Sequence, residues 1–117
     1  MFFRLKNFSL IFIGALVGGL LRWGLDNDLA SNIIGATLLG IFFSIDLNRD
    51  FKLLLGIGLC GSLTTFSGWL LRMFSFFTAG DISEAILLFI STLLCGLLSA
   101  SLGIWLGKRI NQIRLSL

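Results

Sequence analysis

Residues 58–69 read GLCGSLTTFSGW and lie in the middle of one of the most apolar stretches of the chain; seven of the twelve are Gly, Ser or Thr. A segment built only to span a bilayer keeps such residues sparse, because Gly weakens a helix and hydroxyls compete for its backbone carbonyls. This composition predicts a helix that is interrupted. The apolar run around it extends from Leu53 to Ala79, about seven residues more than the roughly 20 that a straight crossing needs. The chain has no Pro, so the break must come from Gly backbone freedom and from Ser and Thr bonding to freed carbonyls. Non-helical backbone at that depth survives only where protein buries it or where it lines a wet cavity.

Working outward, the chain has 117 residues, of which 56% are hydrophobic, against roughly 45–50% in soluble domains. Its mean hydropathy is +1.00, so the fold class is an all-α membrane protein. Hydropathy predicts helices over 8–25, 29–45 and 85–107, with the interrupted third helix over 53–79 between them. Short connections and the absence of linkers give a single four-helix transmembrane domain over residues 1–117, surrounded by membrane lipid. So small a bundle cannot enclose a polar pathway by itself, and an oligomer is expected. The start, MFFRLKNFSLIFIGALVGGLL, has the layout of a signal peptide. Its apolar run continues to Arg22 without a small-residue cleavage site, and it reads as the first membrane helix.

The sequence pI near 9.4 does not point to nucleic acid, since the bases sit in small groups at the ends of apolar segments rather than in one patch. Their distribution sets topology instead. Arg4, Lys6, Arg49, Lys52, Lys108, Arg109 and Arg114 fall on the side of the termini, and Arg22 and Arg72 on the other: seven against two. By the positive-inside rule both termini are expected in the cytoplasm of a multi-pass cell-membrane protein. The chain has no His and no Tyr, which excludes imidazole ligands and imidazole acid–base chemistry. Cys60 and Cys95 lie within apolar segments and read as membrane-buried thiols. No Asp or Glu occurs inside a hydrophobic core. That counts against a proton-coupled exporter, which trades protons at a mid-membrane carboxylate, and against an enzyme, for which no nucleophile–base pair can be assembled.

Three groups of residues could carry chemistry. Gly14, Gly18 and Arg22 recur at i+4 on one face of the first helix. They make either a packing seam with a snorkelling arginine or close contact beneath a positive aqueous vestibule. Asn32 opens the second helix, as a cap or interhelical bond or as an amide donor to a partly dehydrated anion. On the fourth helix Ser91, Cys95, Ser99, Gly103 and Gly107 form a slanting small-residue track, either a helix contact or a hydroxyl-lined ion path with Ser91 its best-placed member.

In this setting GLCGSLTTFSGW resembles the central motif of the Fluc/CrcB family of fluoride channels, whose usual form is close to GxCGGLTTFSTF. GALVGGLLRW resembles the family's Gly-rich first helix ending in Arg, and NIIGATLLG its Asn-x-x-Gly second helix. The resemblance covers nearly the whole chain. It implies an antiparallel, dual-topology dimer of four-helix subunits with two fluoride paths and a central structural Na⁺ that is not transported. By motif position, the Na⁺ ligands would be the backbone carbonyls of Gly61 and Thr64, met by the same pair from the partner. The pore aromatics would be Phe66 and Trp69, whose ring edges carry partial positive charge. Asn32, Thr65, Ser67 and Ser91 would complete the anion pathway, with Arg22 in the vestibule.

This chain departs from the family pattern at several places. Ser62 replaces a usual Gly, Trp69 a usual Phe, and Arg72 a usual Glu; Cys95 replaces a common Ser, and the fourth-helix Tyr is absent. An antiparallel homodimer needs a chain that inserts both ways, hence balanced charges. The seven-to-two bias implies instead a heterodimer with an oppositely oriented paralogue. The alternatives are a nonconducting structural partner subunit of such a heterodimer and a small multidrug-type proton antiporter.

Overall fold

The computed structural model describes residues 1–117 and is all-helical. The first helix, α1 (Phe2–Leu25), starts six residues before the hydropathic boundary at residue 8. The extension is held from outside the apolar run: Lys6 pairs with Asp50 at 2.5 Å, and the Arg49 guanidinium lies 5.0 Å over the Phe3 ring. Asp26 ends α1 in the left-handed conformation, at φ 47°, with its N–H donated to the Arg22 carbonyl. Asn27 then caps α2 (Asp28–Ser44), its Oδ1 accepting from the Ala30 N–H at 3.0 Å.

The third apolar run is broken as its composition predicts. Asn48 caps it by accepting from the Phe51 N–H. Helix α3 then runs over residues 49–63, and α4 (Ser67–Ala79) follows after the non-helical residues 64–66. What hydropathy does not reveal is that Lys52–Cys60 within α3 is wound as a π-helix, a wide, rare form that favours functional sites. Gly80, at φ 84°, closes α4. The last helix, α5 (Ile82–Ser116), begins three residues before the expected 85 and runs nine beyond 107, because nothing in GKRINQIRLS interrupts a helix.

Small residues hold these helices together. A Cβ on Gly14 would lie 2.0 Å from the Leu54 carbonyl oxygen, and one on Gly58 would lie 2.6 Å from that of Ile11, so α1 and the π-wound turns touch through their backbones. The α2–α5 contact is built likewise, with a Cβ on Gly103 reaching within 2.1 Å of the Thr37 carbonyl oxygen. Buried Ser99, Gly103 and Gly107 therefore belong to a packing seam, whereas Ser91 and Cys95 are half-buried. Asn111 fixes the end of α2 by donating to the Ser44 carbonyl at 2.8 Å and accepting from the Asp46 N–H at 3.2 Å.

Only four apolar side chains, Cys60, Leu63, Trp69 and Ala85, are buried, while Leu97, Leu98 and Leu71 are more than two-thirds exposed. A protein in water would collapse around such residues; one in lipid packs through small residues and leaves the large ones outward. Phe2–Leu25, Arg49–Ala79 and Ile82–Ser116 are each long and apolar enough to cross a membrane, and Asp28–Ser44 is a shorter apolar helix of 17 residues.

Candidate functional site

The break is fixed by hydrogen bonds that its own sequence supplies. Thr64 is extended (φ −77°, ψ 150°), and its hydroxyl turns back to the Cys60 carbonyl at 3.0 Å. At Thr65 the helical bond back to Gly61 is replaced: the Thr65 N–H donates to Asn32 Oδ1 at 2.7 Å, and Asn32 Nδ2 donates to the Thr65 carbonyl at 3.1 Å. Both halves of one side-chain amide thus satisfy both polar groups of one backbone residue, which at this depth would otherwise be costly orphans. The Thr65 hydroxyl accepts from the Gly68 N–H at 3.2 Å, capping α4 in the manner of an N-cap threonine. Of the two sequence readings of Asn32, the interhelical bond is realised; one N–H of its amide is left over.

No backbone N–H bonds the carbonyls of Gly61 or Thr64. The first has only the Thr64 hydroxyl at 3.5 Å. Both residues line a groove of about 550 Å³ between α2, α3 and α5 whose other walls are mostly apolar. Unused carbonyl oxygens are the donor type that a hard cation takes, and no cluster of three His, Cys, Asp or Glu side chains offers an alternative. The donor set therefore fits Na⁺, with further ligands required from beyond this chain.

On the other side of the break lies a cavity of about 250 Å³, lined by Asn32, Thr64, Thr65, Phe66, Trp69, Thr92 and Leu93. Asn32, Trp69 and Thr92 also line a neck of about 20 Å³, together with Asp28, Leu29, Arg72 and Leu88. Beyond the neck, Asp28 and Arg72 join Arg22, Trp23, Asp26 and Asn27 around a polar vestibule of about 240 Å³. Vestibule, neck and cavity thus share walls in succession from the end of α1 to the break. The neck has room for about one water molecule. Trp69 is the aromatic residue of the neck, and its ring lies tilted against Phe66 of the cavity at 5.2 Å and against Phe89 at 5.8 Å.

Arg22, Asn32, Thr65, Phe66 and Trp69 are therefore assembled along one row of cavities. Ser67 and Ser91 are not. Ser67 faces an apolar groove on α4 beside Leu70, Leu71 and Phe74, with its hydroxyl 3.5 Å from that of Thr65. The Ser91 hydroxyl bonds the Leu88 carbonyl at 3.2 Å. The α5 residues that line the cavity are Thr92 and Leu93, and the polar one is Thr92, one position on from Ser91. The i+4 track misses it, although its i+3 spacing from Phe89 could have found it. Asp28, on the walls of both neck and vestibule, is the second lining residue missed, since in sequence it reads as an ordinary acid at a helix N-terminus.

The family profile described as CrcB-like protein, Camphor Resistance (CrcB), matches residues 9–104. A Synechococcus sp. (strain CC9902) protein named fluoride-specific ion channel FluC 2 is 41% identical over 117 residues, covering 96% of this chain and 87% of its own. A Prochlorococcus marinus (strain NATL2A) protein named fluoride-specific ion channel FluC 1 is 41% identical over 106 residues, covering 91% and 93%. A second FluC 2, from Synechococcus sp. (strain CC9605), is 44% identical over 113 residues, covering 92% and 86%. These relatives are named as ion channels, in accord with the reading that the chain is not an enzyme. The profile match and the relatives together establish that this chain belongs to the CrcB-like protein family.

Proposed function

We propose that the chain is a subunit of a fluoride-specific channel that lets fluoride leave the cell passively and so limits its toxicity in the cytoplasm. The observation that carries this reading is the succession of vestibule, neck and cavity ending at the TTFS break, in a chain similar to proteins named fluoride-specific ion channels. Arg22 and Arg72 share the vestibule with Asp26 and Asp28, so they offer an anion local cationic donors rather than a net positive field. A passage with space for about one water strips an anion of most of its shell. The lost water is replaced by the spare Asn32 N–H, the Phe66 ring edge and the Thr65 and Thr92 hydroxyls.

Na⁺ would rest on the Gly61 and Thr64 carbonyls of two subunits and supply fixed positive charge where their breaks meet. It is structural in this reading and is not carried. The groove containing Gly61 and Thr64 is then the face that meets the partner subunit. The short α2 serves as the fourth crossing, and both termini are cytoplasmic. The charge bias favours an antiparallel heterodimer with a paralogue of reversed bias, and the occurrence of both FluC 1 and FluC 2 among the relatives' names suits such pairing.

A second reading, the nonconducting partner subunit, is favoured by the narrowness of the neck around Trp69. The missing mid-membrane carboxylate weighs against a proton antiporter. The deciding experiment is fluoride efflux from liposomes containing this chain alone, or this chain with an oppositely biased paralogue. Efflux is expected only from the pair, with Phe66→Ile in this chain lowering it severalfold. Robust efflux from this chain alone would end the heterodimer requirement. Efflux from the pair that ignores Phe66→Ile would leave the chain a scaffold.

A further inference from the structure

Trp69, Arg72 and Asp28 line the neck together, and each carries a polar group that the fold does not use fully. Trp69 is nine-tenths buried, yet its Nε1–H has no hydrogen-bond partner within the chain, an expensive arrangement unless something beside it accepts the bond. Arg72 stands three residues on, hence on the same face of α4. Its Nη2 lies 3.5 Å from Asp28 Oδ2, against about 2.7–2.9 Å for a fully made charge-assisted bond. Asp28 is held in place: it occupies the first turn of α2, where the helix favours a negative charge, and a Cβ on Gly68 would come within 2.8 Å of its Oδ2. A bare carboxylate at a passage one ion wide would turn anions back. Its loose pairing with a half-exposed arginine changes that.

We infer that the neck is an exchange site for one small anion, at which fluoride takes the place of the Asp28 carboxylate on Arg72 and accepts a hydrogen bond from Trp69 Nε1. The inference rests on the channel reading above and deepens it by naming where an entering ion first binds. Asp28 acts as the tethered competitor: it holds Arg72 between ions, yields when fluoride arrives, and returns to Arg72 as fluoride moves into the cavity. An anion too large for the space of about one water cannot reach both donors, so the site selects by size. The two residues that depart from the family's usual Phe and Glu, Trp69 and Arg72, are the two donors.

The test is fluoride efflux as a function of fluoride concentration, in liposomes carrying the chain with its oppositely oriented partner. Arg72→Gln is expected to raise the half-saturating concentration about tenfold, as loss of a charge-assisted bond would. Trp69→Phe is expected to raise it severalfold, and Asp28→Asn to lower it. Unchanged half-saturation in Arg72→Gln and Asp28→Asn, with wild-type efflux intact, would overturn the exchange site while leaving the channel reading standing. Binding is read separately from transport by following the ¹⁵N-labelled indole signals in detergent, with Trp69 assigned by its loss in Trp69→Phe. Fluoride should move the Trp69 N–H signal and bromide should not. A signal that ignores fluoride would overturn the site, and a silent wild-type channel whose signal still moves would retain the site while removing the transport reading.

Discussion

Asn32 is the residue on which the break depends. Its amide exchanges two hydrogen bonds with the Thr65 backbone across 33 positions of sequence, so the irregular backbone is satisfied by a neighbouring helix rather than by water. Asn32→Ala leaves a buried N–H and a buried carbonyl unpaired, a loss of about 1–3 kcal/mol for each group orphaned. The expected result is a lower thermal unfolding midpoint in detergent together with reduced fluoride efflux; an unchanged midpoint would show that Thr65 finds other partners. That Asn32 mattered was legible in the sequence, because an amide at the start of an apolar helix needs a partner. Its partner was not, since Thr65 is brought to it only by the packing of α2 against the break. The same limit explains Ser91 and Thr92: an i+4 track fixes a stripe along α5, but only the neighbouring helices decide which side of the stripe is wet.

The interrupted third helix shows how one segment can be read correctly in outline and still hold a surprise. Excess length and crowded Gly, Ser and Thr announced the break at residues 64–66. The π-winding of Lys52–Cys60 was silent, because a wider helical turn leaves no mark on hydropathy; α1 fits closely against it. Gly14 and Gly58 are the points of that fit. Gly58→Val is expected to cost about 1–3 kcal/mol or more through overpacking and to abolish the monodisperse peak on size-exclusion chromatography in detergent. Gly96→Val serves as the control, since a Cβ there meets nothing within 4 Å, and it should elute as wild type. Equal behaviour of the two variants would mean that α1 can yield without loss of the fold.

For the whole molecule, composition and charge carried the reading furthest. They gave helices throughout and a strong asymmetry between the two sides, whereas element ends were legible only where hydropathy and capping coincide. Helix α1 begins at Phe2 because Phe3 and Lys6 find Arg49 and Asp50, partners 44 or more residues away. The overshoot of α5 arises because charged residues end a hydrophobic segment without ending a helix. At 35 residues, α5 is about 52 Å long, well beyond the roughly 30 Å of a bilayer's hydrocarbon.

That surplus is enough for the last turns of α5 to project as a rigid pointer past the hydrocarbon of a bilayer that the helix crosses. Spin labels on Cys introduced at Ser116 and at the matching position of its partner would behave as the tips of two rods. If the subunits run in opposite directions, the tips lie on opposite sides of the membrane, separated by more than about 40 Å, and pulsed dipolar spectroscopy should find no shorter distance. A distribution centred well below that would mean that the rods point the same way, and the helix itself would have measured the orientation of the pair.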